Sequence, residues 1–367
     1  MCLQNKSHLL QRFEPSRRPQ RLTIQKDAHT TTWTLAWNEP VVLAAAWWTS
    51  LPPCVVTFQP PNDLDLREYS MAYINPHNLV DTDWLASHLA EPNLRIYDCT
   101  THLIHQNDPA LPGPYRVQSG LEDYLQEHIP GAAFIDLQED LSDTDSNLRF
   151  TCPNSSQLLS AFAALGVGDK SQVVLYSQTS PQWATRIWWL LRIVGFDNAR
   201  VLDGGLTKWK LEQRSVSDQQ TAYTPAQLTT TPRTGLMASK EEVLAAINNS
   251  KVCTINALRR AQHGGQDDGE FGNYGRPGHI SGSVNVPTVE LVDSNTTTFL
   301  PAEHIASLFT EISVDKADRI LTYCGGGIAA SATAMLLVML GFDNVSLYDA
   351  SLSEWAPDKT LPMDVLN

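Results

Sequence analysis

The sequence predicts an α/β protein built from two tandem copies of one domain, each a mainly parallel sheet with helices on both faces. Short β-branched runs alternate with amphipathic stretches, which is the pattern of parallel sheets. Part of the sequence also recurs 146 residues later. The first occurrence is Gly195-Phe-Asp-Asn198, Asp203 and Trp209, and the second is Gly341-Phe-Asp-Asn344, Asp349 and Trp355. A further pair, His128-Ile-Pro-Gly-Ala132 and His279-Ile-Ser-Gly-Ser283, lies 151 residues apart. A repeat of this length indicates a duplicated domain and not a solenoid.

The copies are predicted at residues 75–212 and 237–362, and a linker rich in Ser, Gln, Thr and Pro joins them at 213–236. Strands of the first copy are expected at Leu94–Cys99, in the run before Asp136, at Val173–Tyr176 and at Ala199–Leu202. Helices are expected at Asp81–Leu89, Ser155–Leu165 and Thr185–Val194. Open α/β sheets bind ligands beyond the carboxyl ends of their strands, so the loops there are the candidate sites.

Residues 1–70 differ from the rest of the chain. Positions 1–31 carry six Lys or Arg against two Asp or Glu, and no apolar period is sustained up to Ser70. We expect a poorly ordered extension, or a start codon placed too early, with Met71 opening the protein. A basic organellar targeting segment is the alternative.

Composition excludes several classes of function. The chain has 367 residues, 42% of them hydrophobic and 18% charged, which suits a globular protein of two domains. Its formal net charge of −14 argues against nucleic acid or an anionic membrane as a partner. The longest apolar run, Val41 to Trp48, is too short to span a bilayer. These features predict a cytoplasmic protein, or a mitochondrial one if the basic N-terminal stretch is a targeting segment.

The six cysteines, at positions 2, 54, 99, 152, 253 and 324, are scattered. They form no CxxC motif and no Cys/His cluster, a pattern that favours free thiols in a reducing compartment over a disulfide framework or a zinc site. Neither a metal nor a cofactor is therefore predicted.

The stretch after the apolar run Arg319–Tyr323 carries the chemistry. Cys324 follows this apolar run and precedes three glycines and then good helix formers. This order predicts a strand, a tight loop and the N-terminus of a helix. Glycine backbones can turn successive N–H groups inward, and the helix adds the positive end of its dipole. Such a cradle would stabilise a thiolate and any sulfur-bound anion formed by its attack. The expected cradle consists of Gly325, Gly326, Gly327, Ile328, Ala329 and Ala330. A buried cysteine beside a structural turn is the alternative.

The motifs together resemble a tandem-domain rhodanese-type sulfurtransferase, the group that includes thiosulfate and 3-mercaptopyruvate sulfurtransferases. The resemblance covers about residues 75–362 and is carried by Asp98-Cys-Thr100, His128-Ile-Pro-Gly-Ala132, Thr185-Arg-Ile-Trp-Trp189, Asp203-Gly-Gly205, Gly278-His-Ile-Ser-Gly-Ser-Val-Asn-Val-Pro287, Cys324-Gly-Gly-Gly-Ile-Ala-Ala330 and Ser353-Glu-Trp355.

It implies that two rhodanese-like domains move a sulfane sulfur from a small donor, thiosulfate or 3-mercaptopyruvate, to a thiol or cyanide acceptor through a persulfide on Cys324. In that family the first copy has lost the nucleophile. Here Ser177 stands at the matching position, followed by a loop without glycines. The first copy is therefore expected to act as scaffold and as part of the cleft wall.

Two departures from the family leave the donor open. The loop has neither the basic residues of thiosulfate users nor the Gly-Ser-Gly of mercaptopyruvate users, and Leu258 and Gln262 stand where substrate-binding arginines are expected. The candidate replacements are Arg276, Arg259, Arg260 and Arg186, the last either in the cleft or at the domain interface. We expect a mercaptopyruvate-like monoanion to be used at least as well as thiosulfate.

Two other functions compete with this prediction. A cysteine-loop phosphatase needs an arginine at the end of its loop, where this chain has Ala330 and Ser331. A non-catalytic sulfur carrier or interaction module would explain why the substrate arginines are missing.

Overall fold

The structure is a computed structural model that describes residues 73–105, 115–266 and 274–366, together with the backbone of two strands nearer the N-terminus. Those strands, β1 (Gln20–Lys26) and β2 (His29–Leu35), pair in an antiparallel hairpin within a unit that covers Met1–Tyr69. The remainder of that unit lies outside the described residues, so the proposal of a poorly ordered or untranslated extension stays a prediction. Both repeat copies belong to the second compact unit, Ser70–Asn367.

The first copy is a five-stranded parallel sheet with helices on its faces. Its strands are β3 (Leu79–Val80), β4 (Leu94–Asp98), β7 (Ala132–Phe134), β8 (Gln172–Tyr176) and β9 (Ala199–Leu202). Its helices are α1 (Thr82–His88), α2 (Leu121–Gln126), α3 (Leu137–Asp140), α4 (Ser155–Ala164), α5 (Gln182–Ile193) and α6 (Gly205–Leu211). The order across the sheet is β3-β9-β8-β4-β7.

The second copy repeats this arrangement. Its sheet strands are β10 (Met237–Ala238), β11 (Val252–Asn256), β13 (Val284–Asn285), β14 (Arg319–Tyr323) and β15 (Val345–Tyr348). Its helices are α7 (Lys240–Ala246), α8 (Arg260–Gly264), α9 (Ala302–Glu311), α10 (Ile328–Met339) and α11 (Ser351–Trp355). The order β10-β15-β14-β11-β13 is again first, fifth, fourth, second, third, and all four pairs are parallel. The predicted fold class and duplication are therefore confirmed.

Two short antiparallel pairs flank the main sheets. In the first copy, β5 (Thr101–His105) pairs with β6 (Tyr115–Ser119), so Tyr115 is the first residue of a strand outside the five-stranded sheet. In the second copy, β12 (His279–Ile280) pairs with β16 (Met363–Asp364), which lies close to the C-terminus. Within the described residues, no helix is long and apolar enough to cross a membrane.

The two copies meet through equivalent helices. α5 and α10 are buried along nearly their whole length, including polar side chains such as Arg186 on α5 and Ser331 on α10. Thr185 on α5 and Ser331 on α10 are equivalent positions, 146 residues apart, and their hydroxyls lie 2.8 Å from each other. A contact between equivalent positions is the mark of a twofold interface, so the copies are related by a pseudo-twofold axis at this point.

Two equivalent aspartates extend this symmetry. Asp203 accepts a hydrogen bond from the backbone N–H of Phe299 at 2.8 Å, and Asp349 accepts one from that of Cys152 at 2.6 Å. Each carboxylate thus reaches from the last strand of one copy to the chain of the other. Burial raises the pKa of Asp203 to about 6, whereas Asp349 forms an ion pair with the fully buried Arg186 at 2.7 Å.

The linker lies along the first copy as irregular chain. The backbone N–H of Ala226 donates to the carbonyl of Ala163, and Thr229 donates to Asp169 through both its N–H and its hydroxyl. His128 also donates its backbone N–H to the linker residue Ser217. Because of these contacts, the linker forms part of the outer surface of the first copy.

We predict that the two aspartates respond differently to replacement by asparagine. Asp349→Asn would leave the Arg186 charge buried without its partner, which should lower the free energy of unfolding by about 3–5 kcal/mol. Asp203→Asn keeps the acceptor and removes a buried carboxylate, so at pH 7.5 it should leave stability unchanged or raise it. Urea denaturation of both variants at pH 5 and pH 7.5 measures the difference.

The pH dependence follows from the sign of the shift at Asp203. Because the pKa of Asp203 is about 6 in the folded state and near 4 in the unfolded state, this carboxyl stabilises the folded state fully below pH 4, and the stabilisation is lost as the pH rises through about 6. Asp203→Asn should abolish this decrease in the free energy of unfolding with rising pH. Equal destabilisation by the two asparagine variants would contradict the distinct role of the ion pair.

Candidate active site

Cys324 lies directly after the central strand β14, at its carboxyl end. Its side chain is 2% exposed. The backbone on either side is fixed by α11, because the Cys324 N–H donates to the Ser351 hydroxyl at 3.0 Å and the Cys324 carbonyl accepts from the Leu352 N–H at 3.1 Å. The sulfur is therefore held between the sheet edge and the two helices that begin beside it.

The glycines after Cys324 are required by space and by conformation. Gly327 has a φ of 76° where the chain turns into α10, and a Cβ there would lie 2.7 Å from the Asp349 carboxylate. Within the described part of the chain, the N–H groups of Gly325, Gly326 and Gly327 have no hydrogen-bond acceptor. The first-turn amides of α10 are also free of intrahelical partners, as at any helix N-terminus. These N–H groups are available to an anion, and their role as a cradle stays a prediction.

Two phenols stand over the loop, one from each copy. The Tyr274 hydroxyl occupies the space that a Cβ on Gly325 would need, and the Tyr115 hydroxyl lies 3.9 Å from the Cβ position of Gly326. The two rings meet edge to face, with centroids 6.4 Å apart. Burial raises the pKa of both, that of Tyr115 to about 12, so both phenols are neutral at physiological pH. Neither residue was among the sequence-predicted site residues.

Arg186 is the predicted arginine that lies beside the loop. It comes from α5 of the first copy, is fully buried, and has its Nη1 atom 3.2 Å from the Cβ position of Gly327. Nη2 donates to the carbonyl of Phe150 at 2.7 Å, while the Nη1 contact with Asp349 is an ion pair without hydrogen-bond alignment. Burial opposes its charge, but Asp349 and the nearby thiols hold the pKa of Arg186 above its usual value. Arg186 thus joins the copies and places a cation near the loop.

The other three predicted arginines have different surroundings. Arg276 donates to four backbone carbonyls, those of Trp355, Ala356, Asp358 and Leu361. It therefore stabilises the chain after α11 instead of projecting an open guanidinium into a cleft. Arg260 is largely exposed and forms a two-pronged ion pair with Glu290. Arg259 is half-buried at the residue before α8.

Arg149 is a cation near the loop that sequence reasoning missed. Its carbonyl lies 4.0 Å from the Cβ position of Gly326, and its guanidinium lies over the Tyr115 ring at 5.4 Å. The guanidinium also donates to the Tyr115 carbonyl. Arg149 belongs to the irregular chain between α3 and α4 of the first copy, so no local motif near Cys324 could have pointed to it.

The other described cysteines are poor nucleophiles. Cys99, Cys152 and Cys253 are free thiols, like Cys324. Burial raises the pKa of each, to about 12 for Cys152 and about 11 for Cys253, so they stay protonated at neutral pH. Cys2 and Cys54 lie outside the described residues.

Ser177 marks the corresponding point of the first copy, directly after β8. It is almost fully buried, and its hydroxyl donates to the carbonyl of Ser180. The next residue, Gln178, is held by Thr100 and Asp98 across the neighbouring strand end. This loop is closed by its own hydrogen bonds and leaves no open cradle.

Comparison with known proteins decides the family. The rhodanese-like domain family matches residues 81–212 and again residues 241–358. This chain belongs to the rhodanese family. Its two matched segments coincide with the two sheets described above, so the tandem architecture predicted from the repeat is confirmed.

The curated relatives compared below are named as sulfurtransferases. Thiosulfate/3-mercaptopyruvate sulfurtransferase 2 of Arabidopsis thaliana is 30% identical over 78% of this chain and 86% of its own length. The 3-mercaptopyruvate sulfurtransferase of Escherichia coli K12 is 28% identical over 78% of this chain and 97% of its own. The thiosulfate sulfurtransferase of Rattus norvegicus is 27% identical over 77% and 94%. The rhodanese assignment thus extends to the sulfurtransferase group within the family.

Solved structures share the fold. The crystal structure of SseA from Escherichia coli, a 3-mercaptopyruvate sulfurtransferase, matches with a TM-score of 0.62 and 27% identity over 75% of this chain and 98% of that one. An anaerobic ergothioneine biosynthesis enzyme from Chlorobium limicola has a TM-score of 0.66 at 18% identity over 80% and 72%. At that identity the second match concerns the fold alone.

We predict that alanine will be tolerated at one loop glycine and not at its neighbour. A Cβ at Gly325 would overlap the Tyr274 phenol, whereas a Cβ at Gly326 would have its nearest atom at 3.7 Å. Gly325→Ala should therefore lower both the melting temperature and sulfur-transfer activity, and Gly326→Ala should change both little. Thermal melting and steady-state rates of the two variants test this.

Removing the Tyr274 phenol tests whether its overlap with a Cβ causes the difference between the Gly325→Ala and Gly326→Ala variants. Combining Gly325→Ala with Tyr274→Ala should recover stability lost in the single glycine variant, because the overlap disappears. A Gly325→Ala variant as stable as Gly326→Ala would contradict the packing argument.

Proposed function

We propose that this protein moves a sulfane sulfur from thiosulfate or 3-mercaptopyruvate to a thiol or cyanide acceptor through a persulfide on Cys324. The observation that carries the proposal is the position of Cys324 at a strand end, followed by a glycine loop whose N–H groups have no acceptor among the described residues. Membership of the sulfurtransferase group supports the same reaction class.

The reaction divides into two half-reactions. The Cys324 thiolate attacks the outer sulfur of the donor, the bond between that sulfur and the rest of the donor breaks, and the electron pair leaves with sulfite or with the enolate of pyruvate. The acceptor then attacks the outer sulfur of the persulfide, and the sulfur–sulfur electron pair returns to Cys324 as a thiolate. No external oxidant or reductant is needed.

The surroundings of Cys324 favour an anion in both half-reactions. Loop and helix N–H groups from Gly325 to Ala330 can donate to the persulfide, and the first-turn amides carry the positive end of the α10 dipole. Arg186 adds a buried positive charge near Gly327. A preorganised set of donors of this kind costs no rearrangement when charge develops.

The donor's own charge requires a cation outside the loop. Arg276 and Arg260 are engaged with backbone carbonyls and with Glu290. The Arg149 backbone carbonyl lies beside Gly326, and its half-buried guanidinium lies over the Tyr115 ring. Among the described residues the guanidinium has one hydrogen bond, to the Tyr115 carbonyl, so it retains donors for an anion. We therefore assign the donor's carboxylate or sulfonate group to Arg149, with Arg259, half-buried directly before α8, as the second candidate.

The first copy contributes to this site without having a nucleophile. It supplies Arg149, Arg186 and Tyr115, while its own loop at Ser177 is closed. It is thus both scaffold and cleft wall. A cytoplasmic location is retained as part of the proposal, with a mitochondrial one as the alternative.

A sulfur carrier or interaction module without turnover is the second candidate. The observation that favours it is the pair Leu258 and Gln262 at positions where the family has substrate arginines. Such a protein would accept sulfur on Cys324 but would not turn over with either small donor.

We predict that Cys324 alone forms the sulfur adduct. Intact-mass measurement after incubation with each donor should show the mass of one added sulfur on the wild type and none on Cys324→Ser. Ser177→Ala, the matched control in the first copy, should retain turnover within about threefold. An adduct that persists in Cys324→Ser would exclude the proposed mechanism.

We predict that Arg149 binds the charged group of either donor. Steady-state kinetics should give a kcat/KM for 3-mercaptopyruvate at least equal to that for thiosulfate. Arg149→Ala should raise KM for both donors by about tenfold with a much smaller change in kcat, because uniform binding is lost. Arg149→Lys should recover part of the lost donor binding, and Arg260→Ala should have a KM close to that of the wild type.

Three results would count against these assignments. An unchanged KM in Arg149→Ala would remove that arginine from the donor site. A kcat/KM at least about tenfold higher for thiosulfate would reverse the donor preference. Formation of the adduct without turnover on either donor would favour the carrier.

A further inference from the structure

The active loop has no side chains of its own between Cys324 and Ile328, so its functional groups must come from elsewhere. Hydroxyls among the nearest neighbours of the loop glycines are those of Tyr274 at Gly325, and of Tyr115 and Ser353 at Gly326. The two phenols belong to different copies of the domain. They are brought together only by the folded tandem structure.

The Ser353 hydroxyl is already committed. It donates to the Gly325 carbonyl at 2.6 Å, and the Ser353 backbone N–H donates to the same carbonyl at 2.9 Å. These two bonds fix the loop to α11. The Ser353 proton is therefore unavailable to a bound donor molecule.

The two phenols lie side by side but have different neighbours. The Tyr274 hydroxyl lies against Gly325, whereas Tyr115 lies between the Tyr274 ring, with centroids 6.4 Å apart, and the Arg149 guanidinium, 5.4 Å from its own ring. Tyr115 is buried, with 7% of its surface exposed. Tyr115 is therefore the phenol that is next to both the loop glycines and the arginine assigned to the donor's charge.

We propose that Tyr115 donates a hydrogen bond to an oxygen of the sulfur donor's leaving group, and that Tyr274 orients the Tyr115 hydroxyl. This inference rests on the proposed sulfurtransferase function. The loop amides hold the sulfur that is transferred, and the Tyr115 hydroxyl lies 3.9 Å from the Cβ position of Gly326, next to the loop at which the bond to the leaving group breaks. Both sulfite and the enolate of pyruvate carry an oxygen on which negative charge develops as the bond to sulfur breaks.

The neutral state of the phenols makes this role distinct from that of an arginine. A neutral donor gains strength as charge develops on the acceptor, because hydrogen bonds to charged groups are roughly twice as strong as those between neutral groups. Tyr115 should therefore act mainly in the transition state of the first half-reaction, while Arg149 holds the donor's permanent charge. Tyr115 is then a catalytic residue and Tyr274 a positioning residue.

The test separates the two half-reactions in Tyr115→Phe, Tyr274→Phe and the double variant. The rate of Cys324 persulfide formation is followed by intact mass in a single turnover with each donor. The rate of sulfur transfer to cyanide is followed on protein loaded beforehand with inorganic polysulfide. Tyr97→Phe, which loses one buried bond to the Leu165 carbonyl, is the control for removal of a phenol hydroxyl.

We expect Tyr115→Phe to slow persulfide formation by about tenfold to a hundredfold. Transfer from the loaded persulfide should stay within about threefold of the wild type. Tyr274→Phe should have a smaller effect, and the double variant should be no slower than Tyr115→Phe, because Tyr274 acts through Tyr115.

Opposite results would overturn the inference at different points. Persulfide formation at the wild-type rate in Tyr115→Phe would show that the hydroxyl does not contact the leaving group. Equal slowing of both half-reactions, or additive effects of the two variants, would indicate a structural role. Absence of a persulfide in the wild type itself would reject the proposed function, and this inference with it.

Discussion

The buried contact between Arg186 and Asp349 is the interaction on which the site depends. Asp349 lies at the end of β15, where its carboxylate leaves room only for a glycine at position 327. Its second oxygen accepts the N–H of Cys152 from the first copy, and its charge compensates that of a fully buried arginine. A buried charge of this kind is tolerated only with its partner. One carboxylate therefore sets the loop conformation and the attachment of the copies at the same time.

Duplication explains how this contact arose and why only one copy has it. Asp203 and Asp349 occupy equivalent positions and both accept a backbone N–H from the opposite copy. Only Asp349 has acquired an arginine partner, and only the loop beside it is open. At the equivalent point of the first copy, the Ser177 hydroxyl is tied to Ser180. The original symmetry persists in the backbone contacts, while the side chains around the two loops have diverged.

How much could be predicted from the sequence depends on how far apart in the chain the interacting residues lie. The strand, loop and helix around Cys324 are contiguous in sequence, and the 146-residue repeat specifies the second sheet once the first is known. Fold class and tandem architecture could therefore be predicted. Arg276 is a candidate substrate arginine in the sequence, but the direction of its side chain is decided by carbonyls about 80 residues later in the chain. Tyr115 and Arg149 depend on how the first copy lies against the second, which no local pattern encodes.

The contact between Gly325 and Tyr274 has a consequence for how such loops evolve. A larger residue at position 325 is incompatible with the phenol above it, and a smaller residue at position 274 would leave the loop uncovered. The two positions are thus epistatic, although 51 residues separate them in the chain. A basic residue directly after the cysteine therefore requires the Tyr274 phenol to move or to be replaced. Within the family, the identity of the loop residue and that of the covering residue should accordingly co-vary, so each pairing defines a separate evolutionary route to donor recognition.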